Sequence, residues 1–198
     1  MRALNLPARP DSDVQAALTA LGRRPRRPER RRLDLSGLHL AGARLAESDL
    51  GRVNLQDADL QRAELWKANL QGAWLDGTDL RGADLRRADL RITLLAAVDL
   101  RGADLRRASL HYAIMGGLDL RGVDLEGAHL RSASLQDVNL VGVNLQGADL
   151  RDTDLRSARL SGANLMTADL RGANLHGVTG LSEQAIRSVA RVDEHTEF

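Results

Sequence analysis

Carboxylates and arginines recur at 20-residue intervals in this sequence and are its first candidates for chemistry. The carboxylates are Asp59, Asp79, Asp99 and Asp119, and Arg81, Arg101 and Arg121 follow the last three by two residues. A fold that stacks residues 20 apart would place these side chains in two columns able to hold a cation or a polyamine. The same columns could form a solvated salt lattice. We favour the lattice, because exposed ion pairs contribute little individually.

A second basic cluster combines four arginines with two carboxylates. Its members are Arg86, Arg87, Arg106 and Arg107, beside Asp84 and Asp104. The spacing of 20 would again bring the two halves together. An anion site is one interpretation and a plain charged surface is the other, and the sequence favours the surface.

The remaining residue types form no catalytic or metal-binding pattern. The chain has no cysteine, which excludes disulfides and thiolate metal ligands. The histidines are His39, His111, His129, His176 and His195, and none belongs to a motif such as HExxH. No histidine is flanked by the partners of a nucleophile–base set, and no helix follows the "RGADL" glycines to bind phosphate. The sequence therefore predicts a protein that is not an enzyme and needs no cofactor or metal.

The segment "RRPRRPERRR", residues 23 to 32, is strongly basic. Its arginines are Arg23, Arg24, Arg26, Arg27, Arg30, Arg31 and Arg32. Such a run could bind nucleic acid or an anionic membrane surface. No aromatic residue lies between the arginines to stack on bases, so a solvated linker is favoured over nucleic-acid binding.

One repeat positions nearly all of these residues. Counting in fives from Leu35 to Leu175 gives 29 positions, of which leucine fills 28 and Met115 the other. The residue two before each leucine is usually Ala or Val, and the residue just before it is usually Asp or Asn. Five fits neither the helical nor the strand period. A chain that points two residues of every five inward must turn a corner in each pentad.

Glycine marks these predicted corners. It fills the second position after the centre in 14 of the 29 pentads, where a type II turn requires a positive φ. Lys67, Arg87 and Arg107 occupy that position elsewhere, which predicts another turn type there. Four corners close a square of about 20 residues, and the stacked squares pair as parallel strands about 4.8 Å apart. The pentads make about seven coils, a rod on the order of 35 Å long.

The stretches "ADLRGADLRRADL", "VNLVGVNLQGADL" and "ANLMTADLRGANL" resemble the A(D/N)LXX signature of pentapeptide-repeat proteins. The resemblance covers residues 33 to 179 and implies an all-β solenoid, a right-handed quadrilateral parallel β-helix. It implies little about function, since a fold does not fix one. Some members of that family protect DNA gyrase or topoisomerase from quinolones as dimeric, acidic rods that look like DNA. Residues 33 to 180 here hold 17 basic and 20 acidic side chains, a net charge of −3, which imitates duplex phosphate poorly.

Both ends are expected to carry caps, because a solenoid leaves its terminal coils open. Residues 1–32 are predicted to form a cap helix and the arginine-rich linker, 33–180 the β-helix, and 181–198 a second cap helix and a tail. Ser182 has the position of an N-cap for the second helix, with Leu181 and Ile186 in the spacing of a hydrophobic staple. The tail "RVDEHTEF" is expected to fray.

The position before each central leucine is polar nearly everywhere, and its exceptions predict an interface. Trp74, Leu94 and Ile114 lie 20 residues apart at that position, and Ile92 and Tyr112 lie 20 apart at the preceding corner. A contiguous exposed apolar patch usually marks an interface. Chance alignment of tolerated substitutions is the alternative. An interface is favoured, with self-association as its commonest form.

The sequence therefore predicts a non-catalytic scaffold that binds a protein partner or a second copy of itself. A DNA-mimic protein that binds DNA gyrase and confers antibiotic resistance is the first alternative. Anion or nucleic-acid binding through the arginine-rich segment is the second. No apolar run reaches signal-peptide length or the roughly 20 residues of a membrane helix, which with the absence of cysteine predicts a cytoplasmic protein.

Overall fold

The computed structural model describes residues 10, 15, 16, 18 and 33–198. From residue 33 onward the central leucines form one buried column, as the pentad pattern predicts. Leu80, Leu85 and Leu90 are at most 1% exposed, and Met115 takes a leucine position without leaving the core. The small residues two before each centre, such as Ala83 and Ala88, pack beside the leucines. The core is thus a narrow axis of leucine lined by alanine and valine.

Single parallel β-bridges join each coil to the next, and each joins residues 20 positions apart through residue 179. They form four columns, which we call faces. Face A contains positions 34, 54, 74 and onward to 174; face B runs from 39 to 179; face C from 44 to 164; and face D from 49 to 169. Corners are named by the faces they join, so corner DA lies between faces D and A. Every strand in the described part of the chain is a single bridge residue.

The corners explain why Asp or Asn precedes the central leucine. At a representative corner the carbonyl of Leu55 accepts a hydrogen bond from the N–H of Ala58 (3.0 Å). The side chain of Asn54 accepts another from the N–H of Gln56 (3.1 Å), an Asx turn that fixes the bend. Asn54 Nδ2 also donates to Asp34 Oδ1 in the coil below (3.0 Å). One side chain therefore sets a corner and joins two coils.

The second residue after each centre has positive φ whether or not it is glycine. Gly82 has φ 65°, and Lys67, Arg87 and Arg107 have φ 56°, 58° and 58°. The expected change of turn type at the charged corners is therefore not supported. The repeat imposes one left-handed position on every corner, and side chains are accepted there at a cost in backbone energy.

One rung of the ladder is missing among the described residues. Every neighbouring pair along faces A to D forms a bridge except Asp99 and Asp119 on face B. The inward positions just before these two hold Val98 and Leu118, each 6% exposed, where most pentads of the chain carry alanine. The two larger side chains lie one above the other. We attribute the gap to the combined bulk of Val98, Leu118 and Val138, which follow one another at this position in three successive coils, because a coil spacing near 4.8 Å leaves little room for all three.

The N-terminal end of the rod is covered by helical residues. Gln15, Ala16 and Leu18 are helical, and Leu18 belongs to the core. The Gln15 side-chain amide mimics a strand: its Oε1 accepts from the N–H of Arg44 (2.8 Å) and its Nε2 donates to the carbonyl of Arg44 (2.9 Å). These contacts satisfy the backbone N–H and carbonyl of Arg44, which have no preceding coil to pair with among the described residues. The other residues of the predicted cap helix lie outside the described residues.

The C-terminal end contains helix α1, Glu183–Val189. Ser182 is its N-cap, as predicted, and accepts from the N–H of Ala185; Ile186 is buried. The expectation that the tail frays is wrong. After the helix, Arg191 and Glu197 form bridges with Asp169 and Asn174 and extend faces D and A. None of the helices in the described part of the chain is long and apolar enough to cross a bilayer.

Candidate interface and the charged corners

The charged columns form internal ion pairs. Arg81 Nη2 lies 2.6 Å from Asp79 Oδ2, and Arg81 Nε lies 3.6 Å from Asp99 Oδ2 in the next coil. The same two-residue pairing recurs along corner BC in Arg101–Asp99 and Arg121–Asp119. Arginine forks therefore already occupy the carboxylates that a cation would need, and the geometry supports the salt lattice.

Hydrogen bonds from two arginines of the charged corners lower the pKa of their carboxyl partners. Arg101 holds the pKa of Asp99 below its usual value, and Arg151 does the same for the pKa of Asp149. Partial burial acts in the opposite direction but does not prevail in either case. Both carboxylates therefore stay ionised to a lower pH in the folded rod than in the unfolded chain.

Two of the five histidines lie close together. The rings of His111 and His129 lie 5.9 Å apart, and Ser109 Oγ lies 3.4 Å from Nδ1 of His111. No group of three or more metal-ligating side chains occurs in the part of the chain that the structure describes. The pair thus has no third metal ligand among the described residues.

The five residues of the predicted interface lie together. Trp74, Leu94 and Ile114 form successive bridges on face A. Their side chains are 46%, 51% and 53% exposed, and Ile92 and Tyr112 on corner DA are 61% and 60% exposed. We call these five residues the apolar patch. Large apolar side chains at this exposure, in adjacent positions of three coils, form a continuous surface.

The surroundings of the apolar patch are small or polar. Corner AB beside it is formed by Ala96, Ala97, Gly116 and Gly117. Face A continues in polar residues at both ends, with Asn54 on one side and Ser134 on the other. An apolar centre within a polar rim is the anatomy of a protein interface.

The apolar patch also lacks a hydrogen bond that fixes the corners elsewhere in the rod. Trp74, Leu94 and Ile114 stand where Asp or Asn sets the corner elsewhere, so their corners lack the Asx hydrogen bond that Asn54 makes. Three successive coils give up that contact. Other exposed apolar residues, Leu38, Met166 and Val189, lie away from the patch.

Sequence reasoning missed one groove. Corner CD has a groove of about 500 Å³ lined by Trp66, Lys67, Arg86, Arg87, Arg106, Arg107 and Glu126. The four arginines were recognised in the sequence, but Trp66 and Glu126 were not placed with them. Their placement could have been predicted from the repeat, since positions 66, 86, 106 and 126 are each 20 apart. The arginine-rich segment with Arg23 to Arg32 lies outside the described residues.

These columns and corners define a parallel β solenoid with a five-residue repeat. A family model described as pentapeptide repeats matches the chain in 8 copies, over residues 34–67, 67–91, 93–127, 117–147 and 148–179. The chain belongs to the pentapeptide-repeat family, whose members form right-handed β-helices. The resemblance noted in the sequence is confirmed. Proteins of this family generally act as structural or binding scaffolds.

The chain is also similar to solved structures of other proteins. A trypsin-treated form of QnrB1, a plasmid-mediated fluoroquinolone resistance protein, is 21% identical, with a TM-score of 0.52 over 83% of this chain and 91% of that one. HetL, a pentapeptide-repeat protein involved in heterocyst differentiation regulation from the cyanobacterium Nostoc, is 29% identical over 83% of this chain and 80% of its own, with a TM-score of 0.35. The likeness to QnrB1 shows the fold alone. No curated protein matches the sequence.

Proposed function

We propose that this chain is a non-catalytic, cytoplasmic scaffold, a capped rod of about seven coils, that associates with a second copy of itself through the apolar patch. The single observation that supports this is the stack of five large apolar side chains, 46% to 61% exposed, across adjacent coils of one face. Water contact with this surface is unfavourable, and covering it contributes roughly 25 cal/mol for each Å² of apolar area.

The arrangement suits a two-fold pair. Leu94 lies midway between Trp74 and Ile114 on face A, one coil from each. A two-fold axis that lies in the interface plane over Leu94, perpendicular to the rod axis, would place Leu94 on Leu94 of the partner subunit. It would also place Trp74 on Ile114 of the partner subunit, as an isologous interface requires. The apolar centre would then be closed by the polar rim of both copies.

Sedimentation velocity over a series of protein concentrations tests the proposal. We expect the wild type to shift from monomer to dimer as concentration rises. Leu94→Asp should remain a monomer, because pairing would bury two carboxylates facing each other without partners. Ser134→Asp is the matched control, since it adds the same charge to the same face one coil beyond Ile114, and it should dimerise like the wild type.

A wild type that stays monomeric at every concentration refutes self-association. The patch would then have to bind a different protein, the other form of the scaffold hypothesis. A pull-down from the native host, with Leu94→Asp as the control, tests that form. Recovery of the same proteins with the wild type and with Leu94→Asp would show that the patch binds neither a second copy of the chain nor another protein.

The gyrase alternative has weaker physical support. QnrB1 shares the fold and is named for fluoroquinolone resistance. In this chain, however, each acidic column is interleaved with arginines, as in the pairs Asp79–Arg81 and Asp104–Arg106. A DNA-like surface needs uncompensated negative charge. Gyrase supercoiling with a quinolone present, with and without this protein, tests the alternative, and protection from the drug would favour it over the scaffold.

A further inference from the structure

The groove at corner CD contains cations from three successive coils. Lys67, Arg87 and Arg107 occupy the left-handed position of that corner in adjacent coils, and Arg86 and Arg106 occupy the position before it. Trp66 lines one end, where the Nζ of Lys67 lies 4.9 Å from the centre of its ring. Glu126 lines the other end. The groove is therefore a basic channel that follows the rod axis.

Three of these five cations already have partners. Lys67 Nζ lies 2.8 Å from Glu47 Oε1. Arg86 and Arg106 each form a fork with the aspartate two residues earlier, Asp84 and Asp104, at 2.6 Å. These pairs leave no excess charge, and they hold the two guanidiniums against the rod.

Arg87 and Arg107 are different. No carboxylate lies within ion-pair distance of either guanidinium anywhere in residues 33–198. The two residues belong to neighbouring coils, so their backbones lie about 4.8 Å apart. Arg107 has room to move, because Gly127 in the next coil has no side chain. A Cβ on Gly127 would lie 3.4 Å from the Cγ of Arg107. Two unpaired positive charges thus face one groove.

The backbone adds a second reason to assign a role to these side chains. At the equivalent position of corner BC, glycine fills positions 82, 102 and 122, where a positive φ carries no steric cost. Corner CD has long cations there instead, in left-handed conformations that favour glycine. A strained position occupied by the same charge in successive coils points to a functional constraint.

We propose that Arg87 and Arg107 bind a phosphate group in this groove. Two guanidinium forks match a phosphate dianion in charge and in geometry, because each fork donates two parallel N–H bonds to its oxygens. The phosphate is either the free ion or a monoester on a larger molecule, and the groove binds the phosphate group that both contain.

An NMR titration of the full chain tests this proposal residue by residue. The probes are inorganic phosphate and a short phosphoserine peptide, with the unphosphorylated peptide as a blank, all at constant ionic strength. We expect saturable shifts confined to the amides of residues 66–67, 86–87, 106–107 and 126–127. Tighter binding of the phosphopeptide than of inorganic phosphate would identify a monoester on a protein as the source, and equal affinities would identify the free ion.

Variants separate the site from general charge. Arg87→Gln with Arg107→Gln should weaken binding by at least about tenfold, through the loss of two charge-assisted forks. Arg62→Gln is the matched control and should leave affinity unchanged, because Arg62 also has a left-handed φ, of 55°, but lies on corner BC. Shifts that do not saturate, that appear equally with chloride, or that survive the double substitution overturn the proposal. Preferential binding of a single-stranded oligonucleotide over both phosphate probes would also overturn it, in favour of a nucleic-acid surface.

Discussion

The missing rung between Asp99 and Asp119 predicts an unusual response to a core substitution. Leu118 and Leu120 lie in the same coil, 6% and 0% exposed. Replacing Leu120 by Ala should lower the free energy of unfolding by about 3–5 kcal/mol, the usual cost of a buried leucine with its cavity. Leu118 occupies the inward position that most pentads of the chain fill with alanine, and its truncation to alanine lets the two coils close.

The structure gives the size of the difference. Leu118→Ala loses three carbon groups, roughly 2.4 kcal/mol of burial. Closure allows two ladder hydrogen bonds that form elsewhere on face B: from the N–H of Leu100 to the carbonyl of Asp119, and from the N–H of Asp119 to the carbonyl of Val98. Each contributes about 0.5–1.5 kcal/mol. The two bonds together offset about 1–3 kcal/mol, so the net cost should lie between about −0.5 and 1.5 kcal/mol, at least ~1.5 kcal/mol less than that of Leu120→Ala.

Guanidinium denaturation of the two variants measures this difference, and amide hydrogen exchange identifies its cause. In the wild type the N–H groups of Leu100 and Asp119 should exchange faster than the N–H of Leu105, which donates to the carbonyl of Asp124 at 2.8 Å. In Leu118→Ala they should become protected. Equal losses of stability in the two variants, or protection of both amides in the wild type, would refute the crowding argument.

Two further predictions concern acid stability and the C-terminal cap. The pKa of Asp99 is lowered from 3.8 by its hydrogen bond with Arg101, so this pair stabilises the fold above that pH and loses its effect as the pH falls through the lower folded value. Thermal midpoints should therefore be flat from about pH 7 to 5 and fall below about pH 4, and a smaller fall in Arg101→Gln is the check; a midpoint that rises on acidification would contradict the sign. Gly180→Ala should destabilise the protein by several kcal/mol, on the order of 3, because φ is +93° and the new Cβ would lie 2.3 Å from the backbone nitrogen of Ser161. Gly37→Ala, with φ +63° and nothing within 4 Å, should cost only about 1 kcal/mol in thermal denaturation, and similar losses in the two variants would count against the clash.

Much of the rod could be predicted because its period is short and repeats without interruption. Each pentad has the same arrangement: a leucine that points inward, a small residue that packs beside it, and an Asp or Asn that forms the corner. The regular coils above and below hold an irregular coil in register, so Met115 remains in the core although it breaks the leucine pattern. The alignment of Trp74 with Leu94 and Ile114 followed from counting alone, for the same reason.

Other features could not be predicted, because they depend on contacts between coils and at the ends. The sequence shows Leu118 as a large exception at a position that is usually small, but only its stacking with Val98 and Val138 in neighbouring coils accounts for the missing rung. The tail looked unstructured because it departs from the pentad pattern, yet Arg191 and Glu197 pair with the last coils. Pairing with an existing edge does not need the repeat, since the backbone groups of that edge accept any extended segment.

The sequence by itself determined the solenoid, its register and the set of residues that share a face, because a five-residue period leaves only one way to bury the leucines. Only the tertiary structure decided how the charges are divided. It paired Arg86 and Arg106 with their aspartates and left Arg87 and Arg107 without partners. The physical reason is that burial follows from the periodic pattern along the chain, whereas ion pairing and exposure depend on distances between side chains in different coils.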